Sequence, residues 1–324
     1  MKNQKIVNLR ALAILIVVFG HSIIIYSSDW NLYQTNVQCP ILDFMKKIID
    51  FFQMQLFFSL SGYLFFFSQR KERKVSTFLF EKTKRLLIPF CAISALWMIP
   101  IRMLVGYSGY SNMTFFEIYF SKVIYGKDNG HLWFLPTLFL IFSIMYFICK
   151  ILYKKDLPLF YIISGIFLLI ISLASKKIYI HSYANNVMRY LIWFYVGFVI
   201  NRYEKELTIY KKILSTSAFL SLMLGITLEI FYASFLSEYL ISGCLVFIAY
   251  LLMPCISNNL TSNIDRNSFG IYLFHSPLIY ITFATMPNAH PLIIILINFI
   301  LFGILAYIMT ITVRKLKLYF ILGE

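Results

Sequence analysis

Arg10 and His21 are the first pair of side chains able to do chemistry, and the ten residues between them, ALAILIVVFG, are apolar throughout. Eleven positions at about 100° each come to about three helical turns, so both side chains point to one face, about 16 Å apart along the axis. With Arg10 at the edge of a hydrocarbon core about 30 Å thick, His21 is expected near its middle. A polar group there is costly unless it meets a partner or a water-filled cavity. Imidazole in such a setting can take a proton or act as a nucleophile, and apolar surroundings favour the neutral form that both roles require.

Two further histidines lie in unusual company. His131 belongs to GHLWFLP at 130–136, where Trp133 suits a membrane interface and Pro136 a first helical turn. His275 belongs to SFGIYLFHSP at 268–277, about 10 Å into an apolar segment and just before the helix-bending Pro277. Taken singly, His131 reads as an interfacial cap and His275 as a ring bonded to a neighbouring carbonyl. Lys82, Lys84 and Arg85 in EKTKRLLIP read either as anchors at the cytoplasmic face or as a cradle for the phosphates of a polyanionic ligand. Ser59, Ser61 and Gly62 interrupt an aromatic run and give a small-residue face that helix packing alone explains.

These residues need a membrane scaffold, and composition supplies one. Of 324 residues 60% are hydrophobic and 13% charged, and the mean hydropathy is +0.76; a soluble domain of this length carries more charge. The fold expected is all-α and polytopic, one membrane domain over 1–324 with about ten spans. They centre near 10–27, 48–67, 86–105, 132–152, 157–174, 188–201, 213–233, 236–255, 268–286 and 292–312. The net charge of +15 invites a nucleic-acid reading, but with the N-terminus inside, 21 of the 29 Lys and Arg fall in cytoplasmic stretches and six outside. Arg102 and Arg189 fall within or at the ends of spans. The bias places both termini in the cytoplasm and makes the basicity a matter of topology, with no nucleic acid implied. The first span is too long for a signal-peptide core. The five cysteines show no paired spacing and no metal-ligand pattern, and no Walker loop, GxGxxG, HExxH or repeat occurs.

Together and in this order the motifs resemble the acyltransferase-3 family of bacterial membrane acyltransferases. The resemblance rests on the Arg10-to-His21 spacing, on FFQMQLFFSLSGYLF with Phe57, Phe58, Ser61 and Gly62, and on LFEKTKRLLIP. It rests equally on His131 to Leu135 and on Ser268, Gly270, Ile271, Tyr272, His275 and Pro277. The family's basic loop often carries two arginines where this chain has Lys82 and Arg85, and its second span a His and a Pro where this chain has Gln53 and Gln55.

The resemblance implies transfer of an acyl group, usually acetyl from acetyl-CoA, onto a sugar hydroxyl of a surface polysaccharide or lipid-linked glycan, in the bacterial inner membrane. No bound cofactor or metal is implied; acyl-CoA is a co-substrate. His21 and Arg10 would be catalytic. Lys82, Lys84, Arg85, Ser61, Gly62, His131, Trp133, Tyr272 and His275 would bind donor or acceptor. His21 would act as general base, with an acyl-histidine intermediate as the rival and Asp29, Glu117 or Glu229 as carboxylate partners by position only. A glycan or solute transporter and a non-catalytic scaffold are the alternatives from other classes.

Overall fold

The structure is a computed structural model that describes residues 3–69, 74–155, 157–232 and 234–324. Every regular element in it is helical. The main helices are α1 (Gln4–Ser22), α2 (Pro40–Asp50), α3 (Gln53–Gln69), α4 (Val75–Leu104), α5 (Phe134–Lys155), α6 (Pro158–Ala174), α7 (Ser182–Arg202), α8 (Lys211–Tyr232), α9 (Phe235–Leu252), α10 (Asn259–Thr285) and α11 (Pro291–Lys315). Their starts follow local chemistry. Pro158 and Pro291 open α6 and α11, where a missing N–H costs nothing. Ser234 and Ser237 cap α9 reciprocally.

Among the described residues, seven helical stretches are long and apolar enough to cross a membrane. The three remaining segments read from hydropathy are also helical, but α6 has only 17 residues, and α7 and α10 carry polar residues such as Asn185, Asn186, Asp265 and Asn267 along their length. The first helix is shifted from its expected bounds of 10–27. It ends at Ser22, whose hydroxyl bonds back to the Val18 carbonyl at 2.7 Å, and a 3-10 turn follows at Ile24–Tyr26. Arg10 therefore lies within the helix, six residues past its start, and His21 stands in its last turn.

The chain divides into two compact units, interleaved in sequence. The first comprises Met1–Ala13, Phe51–Lys74 and Leu140–Ser262. Its core joins Leu9 of α1, Leu56, Leu60 and Tyr63 of α3, Ile200 of α7, and Val246 and Tyr250 of α9. Within it α3 and α7 meet backbone to backbone: a Cβ on Gly62 would stand 1.8 Å from the Phe194 carbonyl oxygen, and one on Gly197 1.8 Å from that of Ser59. Only glycine permits this approach. The Asn8 amide donates to the carbonyls of Pro254 and Ile256, fixing the start of α1 to the segment after α9.

The second unit comprises Ile14–Asp50, Val75–Phe139 and Asn263–Glu324. All four π-helical segments among the described residues lie in it, at Thr83–Leu87, Ser94–Met98, Ile118–Ile124 and Leu296–Leu301. Such local widening redirects side chains and is frequent at functional sites. Buried Asn298 ties the unit together, donating to the Ser22 carbonyl and accepting from the Thr282 hydroxyl at 2.7 Å.

Candidate functional site

Three histidines from three distant stretches of sequence converge in the second unit. His21 ends α1, His131 sits in the 3-10 turn Gly130–Trp133 ahead of α5, and His275 lies on α10. The His21 and His275 rings stack with centroids 5.1 Å apart, and the His131 ring meets that of His275 edge-on at 5.5 Å. His131 and His275 are buried.

The contacts dictate where the protons sit. His275 Nδ1 lies 2.9 Å from the carbonyl oxygens of Ile271 and Tyr272, which can only accept, so we assign the proton of His275 to Nδ1. His275 Nε2 is then an acceptor. Its partner at 2.8 Å is His21 Nδ1, which must donate. The remaining nitrogen of His21, Nε2, is left with its lone pair available. In this arrangement one imidazole holds the tautomer of another, a task often given to a carboxylate, and a ring so held can serve as an oriented base. Two of the three carboxylates considered by position have other occupations: Glu117 closes a capping box with Thr114, and Glu229 accepts from Ser237. Glu117, outside the spans, is held below the ordinary carboxylate range by the Thr114 backbone N–H and hydroxyl.

His131 is fixed by a consequence of Pro277. A proline has no N–H, so the carbonyl four residues earlier in a helix loses its partner; here that residue is Leu273. α10 nonetheless runs unbroken through Pro277. The freed Leu273 oxygen lies 3.2 Å from His131 Nε2, which therefore donates, leaving Nδ1 of His131 as an acceptor. The Tyr272 hydroxyl completes the grip by donating to the His131 carbonyl. Position 277 thus helps set the histidine at position 131.

Arg102, noticeable in the sequence only for its place in or near a span, braces the turn that carries His131. It is 1% exposed. Its guanidinium donates to Asp128 at 2.9 Å, to the Tyr110 hydroxyl at 3.1 Å and to the Tyr280 hydroxyl at 2.6 Å. It also lies over the rings of Tyr107 and Tyr280 at 4.8 and 4.5 Å. Burial pushes the Tyr110 phenol up to about 12, against the opposing pull of Arg102. Gly130 makes room for the cluster: at φ +51° it adopts a conformation unfavourable to other residues, and a Cβ there would be 2.6 Å from an Arg102 nitrogen. Arg102 thereby joins the Asp128–His131 turn to Tyr280 of α10. The signal in the sequence is the lone cation in the apolar stretch IPIRMLV.

The other expected residues are distributed as follows. Lys82 ends the first α-helical part of α4, and Lys84 and Arg85 lie in its π-helical segment Thr83–Leu87, with the two lysine ammonium groups over Phe78 and Phe80. Gly323 packs its backbone against the Arg85 carbonyl. Trp133 closes the turn that carries His131. Tyr272, His131, His275, His21, Lys82, Lys84 and Arg85 all belong to the second unit, while Arg10, Ser61 and Gly62 belong to the first. Ser61 donates to the Phe57 carbonyl at 3.0 Å, and Gly62 forms the α3–α7 contact.

Residues 3–313, nearly the whole chain, match the family model described as an acyltransferase domain. No curated protein and no solved structure matches the chain.

Proposed function

The chain belongs to the acyltransferase-3 family, and on that premise we propose that it is an integral-membrane O-acyltransferase, most simply an O-acetyltransferase, with acyl-CoA as donor. Its acceptor is a sugar hydroxyl of a surface polysaccharide or lipid-linked glycan. The protein sits in the bacterial inner membrane with about ten spans and cytoplasmic termini, as the charge bias favours. The observation that carries this reading is the His21–His275 pair, in which His21 Nε2 is left as an oriented proton acceptor.

In the proposed reaction His21 Nε2 takes the proton of the sugar hydroxyl as its oxygen attacks the thioester carbonyl. The charge that develops on the His21 ring is shared through its Nδ1–H with His275. Collapse of the tetrahedral intermediate forms the sugar ester and breaks the C–S bond. The departing thiolate takes the proton back from His21 Nε2, leaving free CoA and the neutral ring. Lys82, Lys84 and Arg85 offer cations to the CoA phosphates, and Arg10 lies on the same helix as His21, eleven residues before it. His131, held through Leu273 and Tyr272, faces the pair with its acceptor nitrogen Nδ1 available to a donor group of a substrate.

The test is the acyl content of surface polysaccharide from cells lacking the gene, with and without complementation. Loss of a sugar ester on deletion and its return with the wild-type gene supports the proposal. Unchanged esters with reduced polymer export support the transporter instead.

A further inference from the structure

Between the end of α1 and the first turn of α2, the chain folds on itself around a cavity of about 520 Å³ lined within residues 25–43. This falls in the range of small-molecule sites. The cavity lies in the second unit, its wall beginning at Ile25, four residues past His21.

The walls are braced. The indole of Trp30 stacks on Tyr33 at 6.2 Å and packs edge-on against Phe283 at 5.6 Å, and Tyr33 in turn meets Tyr280 at 5.8 Å. Tyr280 and Phe283 lie on α10, five and eight residues past His275. The far side of the loop is tied down where the Asn36 N–H donates to the Asn288 side-chain oxygen at 2.8 Å, and its near side where the Ser28 N–H donates to Asp43 at 2.9 Å.

The lining selects a ligand by exclusion. It contains no Lys, Arg or His, and its one charged group is the Asp43 carboxylate, which faces Ser28 and Lys47. The phosphates of CoA therefore find no counter-charge there. An apolar chain would strand the Tyr33 hydroxyl, a lining group that is buried without a hydrogen-bond partner, while the exposed carboxamides of Asn31, Gln34 and Gln38 stand along the same wall with no partner among the described residues. Free carboxamides offer both donors and acceptors, while Trp30, Tyr26 and Tyr33 offer aromatic surface. An uncharged ring with hydroxyls at its edge and C–H groups on its faces satisfies both sets at once.

We propose that this cavity is a carbohydrate subsite, in which Trp30 and Tyr33 present aromatic surface to a pyranose ring and Asn31, Gln34 and Gln38 bond its hydroxyls. It deepens the acyltransferase reading, on which its role as acceptor site rests. The test is saturation-transfer NMR on the purified full-length protein in a detergent without a sugar head group, with glucose, galactose, rhamnose and N-acetylglucosamine as probes. At least one sugar is expected to receive saturation at its ring protons. Its affinity is expected to fall about fivefold or more in Trp30→Ala and in Gln34→Ala, as the loss of one contact or hydrogen bond implies. Gln34 is exposed, so its truncation leaves the packing intact. Absence of saturation with every sugar, or unchanged binding in both variants, overturns the subsite. Binding that both variants weaken, in a wild-type protein that forms no sugar ester from acyl-CoA, keeps the subsite and removes the acyltransferase reading. Ester formation with an unchanged acceptor KM in both variants does the reverse.

Discussion

Replacing Pro277 by alanine separates stability from activity in opposite directions. A proline inside a helix costs about 3 kcal/mol relative to alanine, through its missing N–H and the clash of its ring. Here His131 Nε2, 3.2 Å from the Leu273 oxygen, offsets part of that loss with a bond worth about 1 kcal/mol. Pro277→Ala restores an N–H aimed at Leu273, so α10 should gain about 2 kcal/mol. The restored bond competes with His131, and losing about 1 kcal/mol of restraint on that ring implies a rate lowered about fivefold. Thermal unfolding of purified protein, set beside the rate of acyl transfer from labelled acyl-CoA at equal concentration, measures both effects. The expected result is a midpoint raised by a few degrees together with a lower kcat. A variant that is more stable and fully active would show that the Leu273 carbonyl does not hold His131.

Three further outcomes follow from the same contacts. His275→Phe keeps a stacked ring but removes both nitrogens; losing a hydrogen bond to a charged His21 in the transition state is worth about 1.5–3 kcal/mol, so kcat should fall roughly 10- to 150-fold at unchanged membrane abundance by immunoblot. Arg102→Met leaves Tyr280 and a partly exposed Asp128 without their cation and should cost about 3 kcal/mol, seen as a lowered unfolding midpoint. Arg102→Met is expected to be more damaging than Tyr280→Phe, which removes a single acceptor. Gly62→Ala puts a methyl group 1.8 Å from the Phe194 oxygen and should destabilise by about 1–3 kcal/mol as α3 and α7 move apart, with a similar loss for Gly197→Ala.

Hydropathy made the helical architecture legible because long apolar runs carry their own signal, and α6 and α8 lie within one or two residues of where composition put them. The first helix slipped because its apolar run continues through Ile23, Ile24 and Ile25 while the backbone stops at Ser22 and turns. The order of His21, His131 and His275 was legible as motifs. Their meeting was not, since His21 and His275 are 254 residues apart and a contact between elements leaves no periodic trace along either one. The expectation that His275 bonds a neighbouring carbonyl describes only its Nδ1 side; the Nε2 side faces His21. Arg102 could be noticed as a misplaced cation, but its partners Asp128 and Tyr280 lie 26 and 178 residues away. The relation of Pro277 to His131 needs the helix register and the tertiary contact together.

The central claim is that His21 takes the proton of the acceptor hydroxyl. Its direct test is acyl transfer from labelled acyl-CoA to the glycan acceptor by purified wild-type protein and by His21→Ala at equal concentration and equal unfolding midpoint. Loss of a positioned general base is expected to lower kcat about 10²- to 10⁴-fold with the donor KM little changed. A His21→Ala protein that is folded and transfers the acyl group at the wild-type rate would contradict the account, and would reduce the His21–His275 pair to packing.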